Sequence, residues 1–137
     1  MKRQLFISSL LIASIFYSCE KKESTLNLNL SDDLSFNGTF NTINSGNLSG
    51  TVFLHISNGS YQCFTNLPYG IGAGKLEVNA TTIIFIDTLF FIVPAIYGPS
   101  YVLSGEHYYN TEGENLKVWK EMNVGSIEYD LNLAQTK

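Results

Sequence analysis

From Phe36 onward, apolar and polar side chains alternate in short runs broken by Gly, Asn, Ser and Pro. Such alternation belongs to strands with one buried face, and no stretch repeats with the 3.6-residue period of an amphipathic helix. The pattern predicts strands over Phe36–Ile43, Leu48–Ile56, Ser60–Thr65, Lys75–Val78, Thr81–Asp87, Tyr101–Tyr109, Leu116–Met122 and Ser126–Leu133. Val52, Leu54 and Ile56 share one face of the second strand, and Tyr61 and Cys63 one face of the third. Ser57-Asn58-Gly59-Ser60 is a hairpin turn, because Asn-Gly tolerates the positive φ of a tight primed turn. The segment Leu67 to Gly74 is expected to form a glycine-kinked bend. The fold class implied is all-β: a small antiparallel up-and-down barrel, or a flattened sandwich, of about eight strands. Closure is favoured because an open sheet this small leaves two unpaired edges.

The first residues follow a different logic. Lys2 and Arg3 precede the apolar run Leu5 to Phe16, and Tyr17-Ser18-Cys19 follows directly. Charge, short apolar helix and small residue occur in the order an export signal requires, and the run is shorter than the ~20 residues that span a bilayer. Ser18-Cys19 resembles the lipobox of bacterial lipoproteins. The expected division is a signal peptide over 1–18, a lipidated Cys19 with a polar tether through Asp33, and a barrel domain over 34–137. The lipobox resemblance implies diacylglycerol on the Cys19 sulfur and an envelope location, with the outer membrane the expected site and its side left open.

Composition narrows the partners. The chain is 45% hydrophobic and 15% charged, which suits a packed core. Losing Lys2 and Arg3 from 8 basic residues leaves 6 against 12 acidic ones. No basic cluster remains to neutralise phosphate, so nucleic acid is not expected as a partner. Charge-driven docking on anionic lipid is likewise excluded, and the membrane is reached through the lipid on Cys19. With Cys19 lipidated, Cys63 has no disulfide partner and reads as a small buried thiol.

A family resemblance follows from Phe36-Asn37-Gly38-Thr39-Phe40, Tyr61-x-Cys63, Gly72-x-Gly74-x-Leu76, Thr82-Ile83-x-Phe85, the Leu103 to Tyr109 region and Leu116-x-Val118-Trp119. Together these resemble the small lipocalin-like lipoproteins of Bacteroidota, with Gly38-Thr39-Phe40 standing where lipocalins carry Gly-x-Trp. The resemblance implies a lipid-anchored cell-envelope β-barrel; that the protein is not an enzyme is expected from its own residues. The Tyr61-x-Cys63 strand and the Ser104-Gly105…Trp119 pattern more faintly resemble lipoprotein inhibitors of lysozyme, a family that pairs two cysteines.

The segment Leu89 to Ile96 carries no charge, and Pro94 and Pro99 bar it from being a regular central strand. It is either a plug for one end of the barrel or an exposed apolar lip for a small apolar molecule or an envelope protein. In the second case Phe90, Phe91, Ile92, Tyr97 and Tyr101 are the expected ligand-binding residues. Tyr108 and Tyr109 must point to opposite sides of their strand. No catalytic set is expected, nor a cofactor. His55 and His107 lie on different strands, Glu106 and His107 point apart, and Gly-x-Ser-x-Gly and His-Glu-x-x-His are both missing. No metal is expected either, since Glu112 and Glu114 lack the alternating acidic ligands of a calcium loop. Gly70 to Gly74 is followed by a strand pattern, where a phosphate cradle needs a helix N-terminus.

Overall fold

The computed structural model describes residues 26–134, apart from Ser45, Asn47, Tyr69 and residues 90–102. Among them are the strands β1 (Leu34–Ile43), β2 (Ser49–Ser57), β3 (Ser60–Thr65), β4 (Ile71–Val78), β5 (Thr82–Asp87), β6 (Gly105–Glu112), β7 (Asn115–Glu121) and β8 (Ser126–Leu133). Each pairs antiparallel with the next, and β8 returns to pair with β1, so the sheet closes. The closing ladder runs from Phe36 opposite Leu133 to Ile43 opposite Ser126. Of the two architectures expected, the structure is the barrel, a closed eight-stranded meander without an open edge.

The predicted alternation produces the core directly. Phe36, Phe40, Leu54, Cys63, Ile83, Phe85, Leu116, Val118, Ile127, Tyr129 and Leu131 all point inward and are buried. Each large apolar side chain removed from water contributes about 1.5–3 kcal/mol. An aromatic series crosses this interior. Tyr61 meets Phe85 edge to face with centroids 5.0 Å apart, Phe85 meets His107 at 5.5 Å, His107 meets Tyr129 at 6.0 Å, and Tyr129 meets Phe40 at 6.0 Å. Such tilted and edge-on pairs add to what area burial alone supplies.

At three places the structure departs from the expected bounds by more than two residues. The expected bend at Gly70 to Gly74 is mostly strand: β4 starts at Ile71, and Gly72 and Gly74 pair with Cys63 and Tyr61. A Cβ on Gly74 would strike the backbone of Ile86 and Thr88, so glycine here lets β5 come close rather than breaking the strand. The sixth strand was expected over Tyr101–Tyr109 but runs over Gly105–Glu112. The packed domain reaches back beyond Leu34, because Leu26, Leu28 and Leu30 lie against the core. Leu26 N–H donates to Gly113 C=O at 3.1 Å and Gly59 N–H to Leu30 C=O at 2.8 Å, which fastens this segment across one end of the barrel. The turn it touches is the expected Asn58-Gly59 hairpin, with φ of 49° and 70° at its two central residues.

Candidate functional site

Tyr61, Cys63, His107 and Tyr129 bring titratable groups into the barrel interior. Tyr61 O–H donates to the Asp87 carboxylate. Burial, and then that bond, push the Tyr61 phenol far above its usual range. Burial pushes the Cys63 thiol up to about 12, which removes the thiolate needed for nucleophilic work. Tyr129 is likewise raised well above a normal phenol by burial. His107 is 2% exposed, and desolvation lowers its imidazole to about 4. Its Nδ1–H donates to Gly105 C=O at 3.1 Å, and Lys120, whose Nζ donates to Ser104 C=O at 3.2 Å, lowers it further. Every one of these shifts holds a group in its neutral form at pH 7. The cluster is a satisfied structural network; no buried side-chain nitrogen or oxygen among the described residues lacks a partner.

Expected site residues separate by location. Cys19, Phe90, Phe91, Ile92, Tyr97 and Tyr101 lie outside the described residues. His55 faces outward beside Ser35 Oγ at 3.0 Å and Asp33 at 3.5 Å, far from the interior His107. Glu106 and His107 do point apart, Glu106 outward and His107 inward. Tyr108 is exposed, whereas Tyr109 is half-buried with its hydroxyl donating to Asn79 C=O at 3.1 Å. Among the described residues, no three His, Cys, Asp or Glu side chains gather in a way that could hold a metal ion.

The outside of the barrel has two unlike faces. On β2, β3 and β4, Phe53, Phe64 and Ile71 stand side by side in register, with Phe64 and Ile71 both 42% exposed. Phe53 and Phe64 are 6.2 Å apart and border a groove of about 440 Å³ that also touches Asn37, Thr51 and Asn66. Around the barrel, β6, β7, β8 and β1 present polar side chains. One row runs Tyr108–Trp119–Glu128–Asn41, and the next runs Asn110–Lys117–Asp130–Thr39. Trp119 stacks on Tyr108 with centroids 5.9 Å apart and planes 27° from parallel. Beside this stack lies a groove of about 510 Å³, lined by Thr39, Asn41, Lys117, Trp119, Glu128 and Asp130 among others.

Trp119 is outward by simple alternation: Leu116 and Val118 take the interior positions of β7. Its place in a groove cannot be read from the sequence, because Glu128 and Asn41 become its neighbours only through the β7–β8 and β8–β1 ladders. The one local signal is the chain's single Trp at a position whose parity is outward. No family model, curated protein or solved structure matches the chain.

Proposed function

We propose that the protein is a non-enzymatic binding module, held at the cell envelope by lipid on Cys19 in the outer membrane, and that it meets its ligand or partner on the outside of the barrel. The observation that carries this reading is the filled interior. Leu54, Cys63, Ile83, Leu116, Val118, Ile127 and Leu131 have 0% exposure, so no water-sized void lies beside them. A calyx for an apolar ligand needs such a void; an eight-stranded barrel can instead be filled by its own side chains. Recognition then falls to the outside of the barrel, where the described residues form a groove on each of two faces.

The chain path supports the same reading. Residues 26–33 lie at the end of the barrel that carries the Asn58-Gly59 and Gly113 turns. Only the seven residues Cys19 to Thr25 separate that end from the lipid, a reach of at most about 25 Å. The opposite end, from which β5 leads into Leu89, then points away from the anchoring bilayer. The row Phe53–Phe64–Ile71 supports a second reading, in which a small apolar molecule or an envelope protein docks on that face.

Photo-crosslinking in the parent cell tests the proposal, with benzoylphenylalanine placed at Thr39, at Phe64 and, as a control, at Glu77. Discrete adducts from either of the first two positions, absent at Glu77, are expected. Absence of adducts from all three, in cells where the protein is present and folded, refutes the outer-surface reading. Metabolic labelling with palmitate tests the anchor separately, and its survival in Cys19→Ser refutes lipidation at that residue.

A further inference from the structure

We infer that the outer groove of β7, β8 and β1 is a binding site for a neutral, pyranose-containing oligosaccharide, with the Trp119–Tyr108 stack as its platform. This deepens the outer-surface reading by naming a ligand class. A pyranose has one face of C–H groups and an edge of hydroxyls. The C–H face carries slight positive charge and fits the electron-rich face of an aromatic ring. The hydroxyls want acceptors and donors at the margin of the platform, where carboxylates make the stronger bonds.

The groove offers both halves. Trp119 and Tyr108 provide an aromatic surface across two strands. Directly across the ladder from Trp119 stands Glu128, followed by Asn41; one row along, Lys117, Asp130 and Thr39 stand side by side. Asp130 is turned by Asn115, whose Nδ2–H donates to it at 2.5 Å. Among the described residues, Glu128, Lys117, Asn41 and Thr39 make no side-chain hydrogen bond or ion pair, although Lys117 sits opposite Asp130. They line the groove as exposed side chains, so their hydrogen-bonding capacity is open to a ligand that enters it. Its volume of about 510 Å³ falls in the range of small-ligand sites, roughly 300–1,000 Å³.

Other ligand classes fit less well. A phosphate-bearing or polyanionic ligand meets Glu121, Glu128 and Asp130, with Lys117 as the one cation among the described residues that line the groove. An acyl chain needs a dry apolar wall, which Thr39, Asn41 and the carboxylates do not give. A peptide adding itself as a strand needs an open sheet edge, and the closed β1–β8 ladder has none.

The test uses the anchored protein in a non-glycosidic detergent, titrated separately with cellotetraose, maltotetraose, mannotetraose and chitotetraose. Trp119 is the chain's only Trp, so its emission reports on this groove alone. A saturable emission change with at least one of the four, insensitive to salt, is expected. By calorimetry, Trp119→Ala and Glu128→Gln each weaken that sugar about tenfold or more, while Phe64→Ala on the other face leaves it unchanged. Circular dichroism and thermal melts establish that each variant is folded, and Lys117→Ala serves should Trp119→Ala not be. No binding of any of the four, binding untouched by all groove variants, or tighter binding of heparin than of the neutral sugars overturns the inference. A protein adduct from benzoylphenylalanine at Thr39 without sugar binding overturns the oligosaccharide and leaves the outer-surface reading standing. Absence of both at every outer position removes both.

Discussion

Acidification should destabilise this barrel through His107. The imidazole is buried between Phe85 and Tyr129, and desolvation lowers it from 6.5 to about 4. Lys120 approaches from β7 and opposes a second positive charge, while the Gly105 carbonyl, which can only accept, keeps the proton of the neutral ring on Nδ1. In the unfolded chain the ring titrates normally. Below pH 6.5 the unfolded state therefore takes up a proton that the folded state refuses, and stability falls as pH falls. The loss accumulates between about pH 6.5 and about 4 and then levels, since below 4 both states are protonated. A difference of about 2.5 pH units at 1.36 kcal/mol each gives about 3 kcal/mol. That is a large share of the roughly 5–15 kcal/mol that holds a domain together. Urea titrations at pH 7, 6, 5 and 4, followed by far-ultraviolet circular dichroism, measure it. The midpoint of the native protein should drop across this window, and His107→Leu, which has no ring to titrate, should show a flatter profile from a lower starting stability. Parallel profiles for the two proteins would refute a buried neutral His107.

Cys63 should resist iodoacetamide at pH 8 in the folded protein and react at once in urea, because burial pushes its thiol up to about 12; rapid native labelling would place it at an opening in the wall. Tyr61→Phe removes the hydroxyl that donates to Asp87 and should lower stability by about 1–3 kcal/mol in thermal melts, with unchanged stability showing that Asp87 is satisfied elsewhere. Gly74→Ala should cost about 1–3 kcal/mol, since its methyl meets the backbone of β5 rather than a side chain that can turn away; an unchanged melting temperature would contradict the close β4–β5 approach.

The fold was legible because a strand of a filled barrel obeys a strict two-residue alternation. β3 and β8 span the residues expected of them, Ser60–Thr65 and Ser126–Leu133. Where the alternation is hidden, the expectation slips. Gly72 and Gly74 occupy inward positions of β4 without an apolar side chain to announce them, and their role depends on Tyr61 and Cys63 across the ladder. The polar outward residues Asn110 and Glu112 made the end of β6 look like a turn. Leu26, Leu28 and Leu30 alternate too, but among polar neighbours after a presumed tether their packing on the core is a property of the closed barrel. The outer groove was not legible at all. Tyr108, Trp119, Glu128 and Asn41 come from four strands, and only the register set by closing β8 onto β1 lines them up.

The central claim, a filled interior with recognition on the outside, is tested most directly by methyl NMR of the Ile-, Leu- and Val-labelled protein titrated with oleate. The inward methyl groups of Leu54, Ile83, Leu116, Ile127 and Leu131 should keep their shifts throughout, with any change confined to outward groups such as Ile71 and Ile86. Saturable shifts of the inward set would mean that the barrel opens to hold an apolar ligand, and would contradict the account.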